Sequence, residues 1–514
     1  MALLESLHEF TYLILFIFLV SIFLKYLLFH NNKAATKIGL KLPPSPSKLP
    51  IIGNLHQLGT KPHISLRDLS QKYGPIFYMQ LGHIPTVIVS SPKVAEEVYK
   101  THDLVFSNRP QIIAAKYLFY NCKDIGFSQY GSYWRYVRKI SNLELLSSRK
   151  VQYYSHVREK EVARLVRRLS ESYPGTVNLS KMLGLYANDV VCKVVFGRDF
   201  SEGGDYDKQG FQELLEEFQE LLGGLGVSDF FPSLEFVISL TGMKSRLIHT
   251  FKQFDELFDR IIGEHLDRHG HDRVKDERSK DLVDGLLDIQ RNNGSSEMTL
   301  SMENVKAIIL DMFAAGTDTT FISLDWGMTE LIINPKALQK AQTEIQSVLG
   351  ERRVVLESDL PQLNYIKAVI KETYRLHPPA PVLMPRESIE HVVINGYDIP
   401  AKTRLFVNAW AMGRDPEIWE DPETFRPERF LQGTPIDFKC HDYELIPFGA
   451  GRRICPGMNF GIAAVELALA QLLHSFDWEL PPGVTAKDLD MTEVFGITMH
   501  RKVGFVVLAK PRFP

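Results

Sequence analysis

Hydrophobic positions along this chain fall into three regimes of spacing, and each predicts a different kind of element. From Phe10 to Leu24 the sequence FTYLILFIFLVSIFL is apolar almost without a break, and YLLF resumes after Lys25. Such a run matches the roughly 20 residues a helix needs to cross a bilayer, with Lys25 near enough to its end to snorkel. Glu5 and Glu9 precede it, whereas Lys33, Lys37 and Lys41 follow it. That asymmetry favours a retained single-pass anchor with everything after it in the cytosol. A cleaved signal peptide is the alternative, with Ala34-Ala35 as its small-residue site, but the apolar run is longer than an ordinary signal core. In the anchored topology the sequons at Asn178 and Asn293 stay unused.

The second regime is LPPSPSKLPIIGN, residues 42 to 54. Its prolines stiffen the chain into an extended spacer that would hold a soluble body at a fixed angle to the anchor. In the third regime, short β-like runs come first, IFYMQLG (76–82) and PTVIVS (85–90), bounded by Gly and Pro. From about residue 130 helical periodicity dominates, including a pattern from Ser301 to Asn334 closed by Asn334-Pro335. Length alone would suggest about three domains. No linker-like change of composition follows residue 60, however, and the organisation expected is an anchor over 1–30, a basic and proline-rich hinge over 31–54, and one mainly α domain with a small β portion over 55–514.

Composition changes this picture little. The chain has 514 residues, 45% hydrophobic and 24% charged, with net charge −3. That is ample for a core and gives no support to nucleic-acid binding. The four cysteines, Cys122, Cys192, Cys440 and Cys455, form no CxxC pair, which argues against a zinc cage or a disulfide framework. Cys122 and Cys192 sit among apolar neighbours and read as small buried residues. The charged stretch 264–280 reads as a solvated helix end and loop, with His265, His269 and His271 a wet surface cluster rather than a metal site. The glycine-rich, then aromatic stretch 221–237 fits either a flexible apolar tip or an internally packed segment.

Candidate chemistry concentrates in PFGAGRRICPG, residues 447 to 457. Gly449, Gly451 and Gly457 allow sharp turns and close approach to a flat ligand. Pro456 suits the first position of a helix through FGIAAVELALAQLLHSF. Cys455 would then meet the free N–H groups and positive dipole end of that helix, which favour a thiolate, with Arg452 and Arg453 adding charge. A thiolate in a glycine bed is suited to soft-metal ligation. The alternatives are a plain buried cysteine, or a phosphate loop, which would lack its GK[ST] ending.

This stretch matches the FxxGxRxCxG signature of the cytochrome P450 superfamily, which the chain resembles over nearly its whole length. The resemblance implies the cytochrome P450 fold and haem b, with the iron ligated by the thiolate of Cys455. Three further motifs support it: AAGTDTT (314–320), KETYRLHP (371–378) with FRPERF (425–430), and WRYVR (134–138). By resemblance, Asp318 and Thr319 are an acid–alcohol pair that relays protons during oxygen reduction. Gly316, costly in a helix by about 1 kcal/mol, would permit close approach to haem and dioxygen. Thr319 would bond back to the Ala315 carbonyl and loosen the helix there. Glu372, Arg375 and Arg429 resemble a buried structural triad. Trp134, Arg138, Arg386 and Arg453 would bind the haem propionates, with Phe448 and Gly449 also against the cofactor.

The activity so implied is a monooxygenase using O2 and reductase-supplied NADPH electrons on a lipophilic small molecule, at the endoplasmic reticulum membrane with the catalytic domain cytosolic. No flavin or nicotinamide motif occurs in the chain, so NADPH-cytochrome P450 reductase is the implied partner. Lys139, Arg149, Lys150 and Arg452 are candidate contacts, unless they are plain solvated charges. By homologous position the pocket would use 111–127, Asp311, Phe313, Ala314, Thr317, 381–384 and 495–498. The overall pattern resembles the plant A-type, family-71-like microsomal group, for which a terpenoid is the first expectation and an alkaloid, phenolic or oxime the next. A reductase-independent isomerase or dehydratase would not need Asp318 and Thr319. A tethered haem-binding protein without turnover is the other competing class.

Overall fold

The computed structural model of the protein describes residues 12, 14–22, 39–198, 211–224, 226–271, 280–292, 298–433, 436–439 and 442–513. Residues 14–22 are helical, and each side chain from Ile14 to Leu19 is more than half exposed. The rest of the expected anchor, the basic stretch up to residue 38, Cys440 and the side chains of His269 and His271 lie outside the described residues.

The proline-rich stretch is docked on the body. The Pro44 carbonyl accepts the Tyr78 N–H at 2.8 Å, and the Asn54 N–H donates to the Gln80 carbonyl at 2.6 Å. Tyr78 and Gln80 belong to β1 (Ile76–Leu81), which pairs antiparallel with β2 (Ile84–Val89), where the two short β-like runs fall. β3 (Arg386–Glu387) and β4 (Arg404–Val407) complete a sheet of order β1-β2-β4-β3, with β2 and β4 parallel. A hairpin of β5 (Glu493–Phe495) and β6 (Met499–Arg501) stands apart and carries residues 496–498 at its turn. In the 221–237 stretch the packed reading holds for the two adjacent phenylalanines. Phe230 and Phe231 pack against Phe77, Met79 and Ile88, whereas Phe236 is exposed.

The helices that build the site are α1 (Ser132–Ile140), α2 (Leu179–Phe196), α3 (Phe211–Gly223), α4 (Met243–His271), α5 (Met302–Ile333), α6 (Asn364–Leu376) and α7 (Met458–Ser475). α5 forms where the sequence predicts it. Ser301 Oγ accepts the Asn304 N–H at 3.2 Å as its N-cap, and Pro335 ends it. It packs against α2, α6 and α7. It is apolar and long enough to cross a membrane, but most of that apolar face is buried in this core.

Glu372 and Arg375, one turn apart on α6, are fully buried. Glu372 takes Arg375 Nε and Nη2 at 2.7 and 2.8 Å and Arg429 Nε at 3.0 Å. Arg375 then donates to the carbonyls of Gly413, Pro422 and Thr424. A segment poor in regular structure is thereby tied to α6 through charge-assisted bonds.

One expectation is overturned. His265 is not on a wet surface but fully buried, with Nε2 2.9 Å from Asp281 Oδ2 and Nδ1 2.7 Å from the Ile261 carbonyl. The reason is helical phase. α4 continues past residue 264, and His265 falls four residues after Ile261, on the face that buries Phe258, Ile261 and Ile262. Burial pulls the imidazole down, but Asp281 and the Ile261 carbonyl more than offset this, so its pKa is raised. Asp281, Asp284 and His265 lie close enough together to hold a cation. Both ring nitrogens of His265 are already engaged in the bonds just given.

Candidate active site

Loop 447–457 turns through Gly449 and Gly451, both in the left-handed region at φ +68° and +69°. At Gly451 a Cβ would lie 2.3 Å from Asp103 Oδ1 and 2.7 Å from the Tyr99 carbonyl oxygen, so space as well as backbone angle demands glycine. Pro456 and Gly457 form a turn, and α7 starts at Met458 with Gly457 as its cap. The helix thus begins later than the sequence suggested, and Pro456 is not its first residue. The electrostatic consequence survives the shift, because the backbone N–H groups of Gly457 and Met458 at the helix start favour the thiolate of Cys455.

The expected arginine pair does not flank that sulfur. Arg452 is exposed and pairs with Asp103, Nε to Oδ2 3.2 Å. Arg453 turns away to donate to the carbonyls of Ser107, Ile125 and Ser128. The cation beside Cys455 is Arg138 of α1, which donates to the Ile454 carbonyl at 2.6 Å. Burial raises the Cys455 thiol, and the two N–H groups and Arg138 oppose it without overcoming it. A bound metal cation would tip the balance to the thiolate.

A cavity of about 330 Å³ lies over this sulfur. Phe448, Gly449 and Cys455 line one part of it, and Ala314 to Gly316 with Asp318 to Thr320 of α5 line another. Arg109, Arg138, Arg386 and Arg453 also reach it. Burial, then the neighbouring guanidinium of Arg386, pulls Arg453 down to about 9 and Arg109 well below its ordinary value. Buried cations that destabilise one another this way fit a dianionic ligand. A flat group with two carboxylates and a metal suits this donor set of arginines around a thiol.

Trp134 is placed differently from its expected role. It does not line the cavity; its indole N–H donates to the Ile125 carbonyl at 3.1 Å, and its ring lies 4.2 Å from the Arg453 guanidinium. It supports Arg453 from behind.

On α5 the Thr319 hydroxyl donates to the Ala315 carbonyl at 2.8 Å, as expected. Asp318 is half-buried, and its enclosure raises its carboxyl against the opposing influence of Thr498, His500 and Gln219. The Thr498 hydroxyl donates to Asp318 Oδ2 at 2.5 Å. Gly316 reaches the cavity, but a Cβ there would stand 3.1 Å from Val191 Cγ2 of α2. Close packing of two helices is therefore a reason for glycine at this position that the sequence did not disclose.

Of the expected pocket residues, Phe119, Ile125 to Phe127, Asp311, Ala314, Leu383, Met384, Ile497 and Thr498 line the cavity. Phe313 and Thr317 face the core, and the remaining expected positions do not reach the wall. Sequence reasoning missed Phe218, Gln219 and Leu222 of α3. Their helical spacing is what any core-facing stripe shows.

The geometry defines a thiol-based site for a flat dianionic cofactor beneath an apolar cavity, and the comparisons give that class its family. The cytochrome P450 family model matches residues 43–508. The chain belongs to the cytochrome P450 family, whose general property is haem with cysteine-ligated iron, and it is a monooxygenase. Within the family it is of the plant family-71 type. It is 68% identical to cytochrome P450 71AP13 of Prunus mume over 100% of this chain and 98% of that protein. It is 47% identical to strychnine-11-hydroxylase of Strychnos nux-vomica, covering 96% of each. It is 44% identical to premnaspirodiene oxygenase of Hyoscyamus muticus, covering 97% of this chain and 99% of that one. A zebra fish cytochrome P450 solved with abiraterone superposes with TM-score 0.74 at 25% identity, over 88% of this chain and 100% of that chain.

Proposed function

We propose that Cys455 holds the haem iron, that Arg138, Arg386 and Arg453 take the propionates, and that the substrate is a lipophilic plant metabolite, a terpenoid first. The observation that carries this reading is one cavity with Cys455 on one wall and Ala315, Gly316, Asp318 and Thr319 of α5 on another. Haem held by a thiolate supplies reductive activation of O2 and delivery of one oxygen atom to a C–H bond, the other atom leaving as water. The chain's own residues bind, orient and move protons. Phe448 and Gly449 lie against the cofactor. Asp318, which accepts from the Thr498 hydroxyl, passes a proton by way of Thr319, which lines the cavity. Trp134 acts as a support for Arg453.

The two electrons come from NADPH-cytochrome P450 reductase, because no flavin or nicotinamide motif is present in the sequence. Lys139, Arg149 and Arg452, all exposed, with the part-buried Lys150, are its basic contacts. The apolar run 10–24 anchors the chain in the endoplasmic reticulum membrane with this body in the cytosol. Phe119, Phe127, Phe218, Leu222, Met384 and Ile497 make the wall suited to an apolar guest. The name of the Hyoscyamus relative supports a terpenoid, and that of the Strychnos relative makes an alkaloid the second reading.

Co-expression in microsomes with a plant reductase tests this, using NADPH and a panel of terpenoids and alkaloids. A product carrying one added oxygen atom, dependent on reductase, is expected. Conversion that persists without reductase would instead mark an isomerase or dehydratase.

A further inference from the structure

The cavity wall formed by Ile125, Gly126 and Phe127 has no helix or strand of its own, yet both sides of its backbone are held. Its carbonyls face cations and donors. Arg453 and Trp134 donate to Ile125 O, and Arg109 Nε donates to Gly126 O at 2.9 Å. Its N–H groups face two acids. The Ile125 N–H donates to Asp311 Oδ2 at 2.5 Å and the Phe127 N–H to Asp124 Oδ2 at 2.8 Å.

Those two carboxyl groups meet over Gly126. A Cβ there would lie 3.1 Å from Asp124 Oδ2 and 3.6 Å from Asp311 Oδ1, so both carboxyl groups press on the same glycine. Asp124 is fully buried, and its Oδ1 has no donor among the described residues unless Asp311 supplies one. Two ionised carboxylates have no hydrogen to place between them, and in such a site they repel. Arg109 and Arg453 act on Asp124, whereas the charged neighbour acting on Asp311 is Asp124 itself. Asp124 therefore bears the charge and Asp311 the proton.

We propose that Asp124 and Asp311 share one proton and that this carboxyl–carboxylate pair is the positioning element that fixes Ile125 to Phe127 as the cavity wall against α5. Both groups are raised by burial, and Asp311 is raised further by the charge of Asp124. The other titratable groups facing the pair are Tyr133 of α1 and the Cys122 thiol, both also raised by burial and by Asp124. The pair shapes which guest the wall admits and touches no reacting atom.

An Asp311→Asn side chain would reproduce the protonated acid, its oxygen accepting from Ile125 and its NH2 donating to Asp124. Asp311→Leu would leave Asp124 charged with no proton partner. Two measurements on the full-length holoenzyme test the pair. A wild-type minus Asp311→Asn infrared difference spectrum at neutral pH is expected to show one protonated carboxyl stretch, and its absence overturns the shared proton. Hydrogen exchange of the Ile125 to Phe127 amides is expected to stay within about threefold of wild type in Asp311→Asn and to quicken at least about tenfold in Asp311→Leu. Unchanged exchange in Asp311→Leu overturns the positioning role. If that variant does not fold, the double variant Asp124→Leu/Asp311→Leu, which removes both acids together, is read by the same criterion.

Discussion

Glu372→Gln is the sharpest test of how the fold holds the segment that leads to Cys455. The carboxylate is fully buried and accepts four bonds, from Arg375 Nε and Nη2, Arg429 Nε and the Arg426 N–H. The amide replaces one acceptor oxygen by a donor that faces Arg donors, and it removes the charge opposite two guanidinium groups. Removing one partner of a buried pair costs about 3–5 kcal/mol. Arg375 keeps its bonds to Gly413, Pro422 and Thr424, which places this case at the low end, about 3 kcal/mol. That is roughly a hundredfold in the folded-to-unfolded ratio. Large haem proteins often unfold irreversibly, so the assay is the half-life of the reduced-CO thiolate band at fixed temperature. A fall of at least about tenfold is expected, with Glu96→Gln as a control that breaks an exposed pair to Lys100 worth under about 1 kcal/mol. A Glu372→Gln half-life within twofold of wild type would refute the reasoning.

Other outcomes follow from the same geometry. Cys455→Ala abolishes the red-shifted reduced-CO band; its survival would remove the thiolate assignment. Thr319→Ala keeps that band but slows product formation by about 10²-fold relative to NADPH consumption, measured as their ratio. Gly451→Ala forces a Cβ into Asp103 and the Tyr99 carbonyl at a positive φ, so soluble holoenzyme falls sharply on spectral titration. Glu466, raised by burial to about 7, titrates in the folded state above its unfolded value. The folded state then binds the extra proton, and stability declines as pH rises from about 4 through 7. Glu466→Gln removes that decline and raises thermal stability at pH 8 but not at pH 5, read by fluorescence-detected unfolding.

The most legible parts of the fold were those whose cause is local. α5 was bounded by a Ser cap and a proline, β1 and β2 by the Gly and Pro at their ends, and the Cys455 loop by its glycines. Less legible was whatever depends on what comes from elsewhere in the chain. Arg453 reads as a charge next to Cys455, yet its donors go to carbonyls of the 107–128 segment. The cation that does face the sulfur is Arg138, which comes from α1 and not from the Cys455 loop. His265 looked like one of three surface histidines because its charged neighbours hide the apolar phase of α4. Gln219 looked like an ordinary polar position on α3 because nothing in its own segment reveals Asp318. The Asp124–Asp311 contact joins a loop to a helix, and no local pattern reports it.

The arginines that close the site have a consequence for the making of the protein. Arg453 bonds Ile125, 328 residues away, and Arg109 bonds Met384, 275 residues away. At a synthesis rate of about 5–20 residues per second, roughly 15–65 s pass between the emergence of Ile125 and that of Arg453 from the ribosome. For that interval Asp124, Arg109 and the 125–127 segment have no site to belong to. The haem pocket cannot take shape as the chain grows, and its closure waits on the arrival of the C-terminal part.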